Sequence, residues 1–384
     1  MKLNKIPRQV FILGLISFFT DFASEMLYPV TPIFLTAVLG ASMATVGLIE
    51  GIAEVTAGIL KGYFGLLSDK LGKRSIFVLL GYGISALVKP LPGIFPFVST
   101  VVFSRTADRV GKGIRTAPRD ALLAGHSEGN TGAVFGFHRS MDTFGAVAGP
   151  LAALLILFLL PGEYTSIYLI AVIPSLFAIY FTLKVKDPAK ESFSKRKFLY
   201  KEFWQMAPKQ YKYLLTLVTL FSLVNSSDVF LILKSKDITQ SDTIAILGYV
   251  FYNFIYAVAS YPIGILADKF GKKNIFIFGL LIFSCVYFGF AQFDYFFLTW
   301  ILFAFYGIYS ASTEGVTKAW VSDLIPDKFR GSAIGLLTTF SGFAVMIGSV
   351  LAGFLWDVFG AEVPFMISSV TSLVIAVIFI FMKK

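Results

Sequence analysis

Seven charged residues fall within positions 104–120, SRTADRVGKGIRTAPRD: Arg105, Asp108, Arg109, Lys112, Arg115, Arg119 and Asp120. Spacings of three and four place most of them on one helical stripe. The stretch continues an apolar run, KPLPGIFPFVSTVVFSRTA. A charge at the centre of a bilayer costs about 2.5–3.5 kcal/mol on insertion scales, so such ions line water or find partners. Acids that could answer them lie upstream. Asp21 and Glu25 are four residues apart, and so are Glu50 and Glu54. At middle depths Asp21, Glu25, Glu54, Arg105 and Arg109, with Lys112 beside them, form a buried ionic network. A static network holds helices together. A working one has a carboxylate that takes a proton when its cation partner moves away. Asp21 and Glu25 are the first candidates for that carrier, with Glu54 next. His138, near Arg139 and Asp142, is either structural or a proton relay.

The elements that position these groups are legible in the apolar runs. Of 384 residues, 56% are hydrophobic and 15% charged, against about 25% charged in soluble domains. Twelve runs of bilayer-spanning length recur, at about 9–38, 42–66, 75–93, 97–123, 131–160, 166–185, 209–235, 242–266, 274–291, 296–323, 330–358 and 363–382. The expected class is an all-α membrane protein with twelve transmembrane helices in two pseudo-symmetric six-helix bundles. The net charge of +10 sits in particular loops, so it reports topology rather than nucleic-acid binding. Lys2, Lys5, Arg8, Lys70, Lys73, Arg74, Lys269, Lys272, Lys273, Lys328, Arg330, Lys383 and Lys384 mark one side, so both termini are expected in the cytoplasm. Lys89, Lys234 and Lys236, near outer ends, are the exceptions. The basic start before the first run resembles a signal peptide, but no small-residue cleavage site follows and the run continues through Asp21 and Glu25. The single cysteine, Cys285, is expected in core packing.

The longest polar stretch, 184–212, holds nine Lys/Arg and three acids. It divides the chain into an N-terminal bundle, 1–185, a cytoplasmic linker, 186–208, and a C-terminal bundle, 209–384. A repeat supports the division. GLLSDKLGKRSIF at 65–77 matches GILADKFGKKNIF at 264–276, an offset of 199, and at the same offset Gly132 and Gly136 fall on Gly331 and Gly335. Two equivalent halves are a transporter architecture, with the substrate site between them.

The loop Gly65, Asp69, Gly72, Lys73 and Arg74 resembles the loop between the second and third spans of the major facilitator superfamily, and Gly264, Asp268 and Gly271 resemble its second-half echo. The resemblance covers the whole chain and implies a gate latch. In that family Asp69 would pair with a cation at the cytoplasmic end of the fourth span, for which Arg119 is best placed. Arg109, Lys112 and Gly113 resemble the fourth-span motif whose Arg is implicated in proton transfer, with Lys112 where Gln is more common. Gly145, Gly149 and Pro150 resemble the fifth-span motif of drug–proton antiporters, although Ala152 and Ala153 replace its trailing glycines. Reading the ionic residues together with these motifs assigns proton coupling to Asp21, Glu25, Glu54, Asp108, Arg109 and His138. It places Arg105, Lys112, Arg139, Asp142, Asn225, Asp228, Tyr252, Asn253 and Tyr256 around the substrate cavity. In the tenth span Glu314 and Lys318 are spaced to pair with each other.

No metal-spaced His/Cys set, nucleotide loop or nucleophile elbow points to catalysis or to a cofactor. A channel needs no duplicated latch loop, and a scaffold needs no carboxylate–Arg network. The expected function is proton-coupled export of a small molecule or drug by alternating access. Transport of an anionic metabolite uses the basic fourth span instead, and export of a metal ion or chelate uses the paired acids as oxygen ligands. The expected setting is a bacterial or archaeal cytoplasmic membrane, with a monomer in the lipid bilayer, protons and a small-molecule substrate as partners, and no nucleic acid.

Overall fold

The computed structural model describes residues 6–28, 30–41, 43–188, 200–226, 228–240 and 242–381, with the backbone alone described at 32, 33, 36, 37, 43–55, 200–202, 229, 233, 236, 242, 243, 245, 246 and 357. Among the described residues the regular structure is entirely helical. Nine helices among the described residues are long and apolar enough to cross a membrane. Three further spans are Met43–Leu71, the charge-rich Val98–Gly125, and the interrupted pair Lys209–Val224 and Val229–Thr239. Twelve spans follow, in the order read from the apolar runs.

The breaks have local causes. The first span, Arg8–Leu27, gives way to the short helix Val30–Ile33 and a wide π-helical turn, Phe34–Val38. The third, Arg74–Val88, stops where Pro90 lacks an N–H and the chain turns into Leu91–Ile94. The seventh breaks at Asn225, because Asn and Ser offer the backbone competing hydrogen bonds. The carbonyl of Asp228 accepts from the N–H of Ile232 at 3.2 Å, so Asp228 opens the helix that follows.

The chain forms two compact units. One comprises Met1–Glu128, Met141–Gln205 and Pro326–Leu336; the other comprises Gly129–Ser140, Met206–Ile325 and Leu337–Lys384. The fifth span, Thr131–Leu159, and the eleventh, Arg330–Phe359, each give their first turns to one unit and the remainder to the other.

In the first unit Met26, Phe34, Val101, Ile167 and Tyr168 belong to a buried apolar cluster. Close approach there depends on glycine. A methyl group on Gly149 would stand 2.6 Å from the carbonyl oxygen of Phe22, and one on Gly81 2.6 Å from that of Gly111. The second unit packs around rings, including Phe221, Phe283, Tyr287, Phe303 and Tyr306. Large apolar side chains such as Leu87, Phe103, Phe158, Phe297 and Phe381 remain exposed. They are the faces that hydrocarbon covers. Cys285 is among the exposed residues rather than in the core. A helix apolar on every side carries no sign of which face turns inward, so the core assignment did not follow from its setting.

Candidate functional site

The fourth span, Val98–Gly125, sorts its charges into two stripes rather than one. Residues 104, 108, 111 and 115 face the third span. The Ser104 hydroxyl donates to the carbonyl of Val88 at 2.6 Å, and Lys89 pairs with Asp108 at 3.1 Å. Arg115 donates to the Ser85 hydroxyl at 2.6 Å and lies 4.4 Å over the Tyr82 ring. Arg105, Arg109 and Lys112 point the other way. They are the cations that act on Glu25 of the first span, and Arg105 also lies 5.8 Å over Tyr28. The structure therefore separates Asp108 from Asp21 and Glu25, because a one-residue step along a helix turns the side chain by about 100°.

On the first span Ser17, Asp21 and Glu25 make one stripe at i, i+4 and i+8. Ser17 donates to Asp142 of the fifth span, and the carboxyl group of Asp21 lies within hydrogen-bonding reach of that of Asp142. A hydrogen bond between two carboxyl groups requires a proton on one of them. Lys112 and Glu25 are next to Asp21. Arg119 pairs with Asp120 at 2.9 Å and reaches the hydroxyls of Tyr82 at 3.4 Å and Ser17 at 3.5 Å. Asp142 is thus the hub of the cluster rather than a peripheral cavity residue. Ser17 was readable as the upstream member of the Asp21–Glu25 stripe. The backbone of Glu54 lies within Met43–Leu71, but its side chain is outside the described residues.

A small pocket opens between the first and fourth spans, with Ser24, Thr31, Lys89, Arg105, Asp108 and Tyr168 in its lining.

The two copies of the loop motif make matching contacts. Asp69 accepts from the N–H groups of Gly331 at 3.2 Å and Ser332 at 2.6 Å, and from the Ser332 hydroxyl at 2.8 Å. Arg74 pairs with Asp69 and with Asp327, both at 3.1 Å. In the second unit Asp268 accepts from the N–H groups of Gly132 at 2.8 Å and Ala133 at 2.7 Å. Lys272 bridges Asp268 at 2.8 Å and Asp323 at 2.7 Å. Each carboxylate caps the positive end of a helix, the fifth or the eleventh. Arg119, engaged with Asp120, is not the partner of Asp69; backbone donors and Arg74 hold that place. Gly72 and Gly271 turn the chain at φ 61° and 93°, a region that glycine enters without strain. Gly65 and Gly264 have no room for a methyl group against the carbonyls of Gly331 and Gly132.

Within the second unit Arg139 pairs with Glu314 and lies 5.4 Å over the Tyr256 ring. Glu314 therefore reaches across to another helix instead of standing only beside Lys318. Asp228 accepts from the hydroxyls of Tyr306 at 2.7 Å and Tyr252 at 3.3 Å. Tyr306 had a visible signal, since Tyr306 and Tyr309 share a helical face at i, i+3. Asn253 donates to the carbonyl of Tyr249 in its own helix at 3.0 Å, and Asn225 ends the helix Lys209–Val224. His138 is buried in the part of the fifth span that belongs to this unit. Gly145 packs against the backbone of Phe18, and Pro150 lies inside the fifth helix.

Comparison with known proteins agrees with this architecture. An uncharacterised MFS-type transporter of Methanocaldococcus jannaschii is 36% identical over 98% of this chain and 96% of its own length. Multidrug resistance protein 2 of Bacillus subtilis is 32% identical over 120 residues, 30% of this chain and 29% of that protein. The crystal structure of the human organic anion transporter MFSD10 superposes with a TM-score of 0.78 at 15% identity, covering 97% of this chain and all of that one, a likeness of fold. The model of the Major Facilitator Superfamily matches residues 13–235 and 215–384. With twelve spans, a duplicated loop motif and a match along nearly its whole length, the chain belongs to the major facilitator superfamily and is an integral membrane transporter.

Proposed function

We propose that this transporter exports a small molecule or drug from the cytoplasm in exchange for protons, by alternating access of two six-span halves. The observation that carries the reading is the carboxyl pair of Asp21 and Asp142, with Lys112, Arg109 and Arg105 close by. A pair that shares one proton can release it when a neighbouring cation closes in, and recover it when that cation withdraws. Helix motion then couples to protonation. The glycine-lined fifth span and the partial likeness to Multidrug resistance protein 2 support export over uptake. We place both termini in the cytoplasm of a bacterial or archaeal cell and treat the monomer as the working unit.

The test uses everted membrane vesicles energised to be acid inside, with a pH-sensitive dye. Drug cations, organic anions and divalent metals are added in turn. Substrate-triggered proton efflux that disappears in Asp21→Asn supports antiport. No response to any class counts against it. A second reading, proton-coupled transport of an anionic metabolite, draws on Arg105 and Lys89, which both line the pocket between the first and fourth spans. In the same assay it requires proton movement with organic anions alone.

A further inference from the structure

Asp228 stands apart from the ion-paired acids described above. It lies where the seventh span is broken, half-buried, and its side-chain hydrogen-bond partners among the described residues are two tyrosine hydroxyls, Tyr306 at 2.7 Å and Tyr252 at 3.3 Å. Among the described residues no Lys, Arg or His pairs with it. Lys234, on the next helix, is engaged with Asp294 at 3.0 Å. By contrast Asp69, Asp108, Asp120 and Asp268 all have a cation within 3.1 Å. A carboxylate at such a depth without a resident cation is an incomplete site.

The surroundings say what would complete it. Tyr252 and Tyr306 rings are 4.9 Å apart, Tyr306 and Tyr309 rings 5.2 Å, and Tyr252 stacks on Tyr256 at 6.1 Å and 13°. Tyrosine faces attract cations and exclude anions. The stack already holds one cation at its far end, where Arg139 lies 5.4 Å over Tyr256. That charge is balanced by Glu314. The negative charge of Asp228 is left over at the near end, against rings too apolar to suit a hydrated metal ion.

We propose that Asp228, Tyr252 and Tyr306 form the binding site for a lipophilic organic monocation, such as a quaternary ammonium, phosphonium or protonated amine. The carboxylate supplies the opposite charge and the rings supply the faces. This site is separate from the Asp21–Asp142 pair. It rests on the export reading only for the direction in which the cation moves.

The test is equilibrium binding of radiolabelled tetraphenylphosphonium to the purified full-length transporter, with tetraphenylborate as an anion of the same shape. Saturable binding of the cation, weakened about tenfold or more in Asp228→Asn and kept in Asp228→Glu, is expected. Tyr252→Leu and Tyr306→Leu should each weaken it, whereas Tyr306→Phe, which keeps the ring, should weaken it less. These variants serve if Asp228→Asn does not fold. Undiminished binding in Asp228→Asn, preference for tetraphenylborate, or no saturable binding by the unmodified protein would each overturn the proposal. Binding without proton release in vesicles would sink the export reading and leave the cation site standing. Proton release triggered by a drug, with no saturable binding of tetraphenylphosphonium, would overturn the cation site and leave the export reading standing.

Discussion

The carboxyl groups of Asp21 and Asp142 come within hydrogen-bonding reach of each other across the first and fifth spans. A bond between them exists only while one of them carries a proton, so it is present at lower pH and lost as pH rises. In infrared difference spectra a protonated-carboxyl C=O band should fade with increasing pH. The band should be missing in Asp21→Asn and in Asp142→Asn, and both variants should lose substrate-triggered proton release. A band that persists in both would place the proton elsewhere.

The two latch copies should differ in what their removal costs. Asp69 and Arg74 are 1% and 2% exposed at their side chains, whereas Asp268 and Lys272 are 12% and 13% exposed. Removing one partner of a buried pair costs about 3–5 kcal/mol. Asp69→Ala is expected to lose stability near that range, tempered by the Arg74–Asp327 contact. Asp268→Ala should lose less, because Lys272 keeps Asp323. Thermal unfolding of the two purified variants compares them directly.

Lys89 and Asp108 are expected to act as a structural pair. Asp108→Asn leaves the Lys89 ammonium buried without its carboxylate and should destabilise the protein by about 3 kcal/mol. The double variant Lys89→Met with Asp108→Leu should recover much of that loss, and proton release in vesicles should continue. Loss of proton release in a stable double variant would bring Asp108 back into the coupling machinery.

Gly149 should tolerate no side chain. A methyl group there would stand 2.6 Å from the Phe22 carbonyl oxygen and 2.8 Å from the Met26 nitrogen, both backbone atoms that cannot swing away. Gly149→Ala is expected to cost about 1–3 kcal/mol as overpacking. Gly58, with nothing within 4 Å of the same construction, should accept alanine freely. Paired melting curves distinguish the two positions.

Much of the fold was legible because a bilayer demands about twenty apolar residues per span, and because the repeat between 65–77 and 264–276 marks two related halves. That Glu25 stands among the charges of Arg105, Arg109 and Lys112 was legible too, since unpaired intramembrane ions are costly. What escaped the sequence was helix rotation. Asp108 and Arg109 are neighbours in sequence yet serve different spans, and only packing decides which. Asp69 was matched to a side chain, Arg119, while its main donors are backbone N–H groups, which every residue but proline carries and which leave no mark in composition. Glu314 and Lys318 satisfied a helical pairing rule, but Arg139 lies within reach from another helix. Cys285 sits in a run apolar on all sides, where lipid and core look alike.

The contacts of Asp69 also order events during synthesis. Its donors at Gly331 and Ser332 lie 262 and 263 residues downstream. The second and third spans therefore leave the ribosome with Arg74 already beside the carboxylate, while its backbone donors do not yet exist. Asp268 has no such wait, because Gly132 and Ala133 precede it in the chain. The second latch can close as soon as its loop is made, whereas the first is completed only when the eleventh span has emerged. Ribosome-arrested chains cut before and after that point should differ in how well a protease reaches the loop at 69–74.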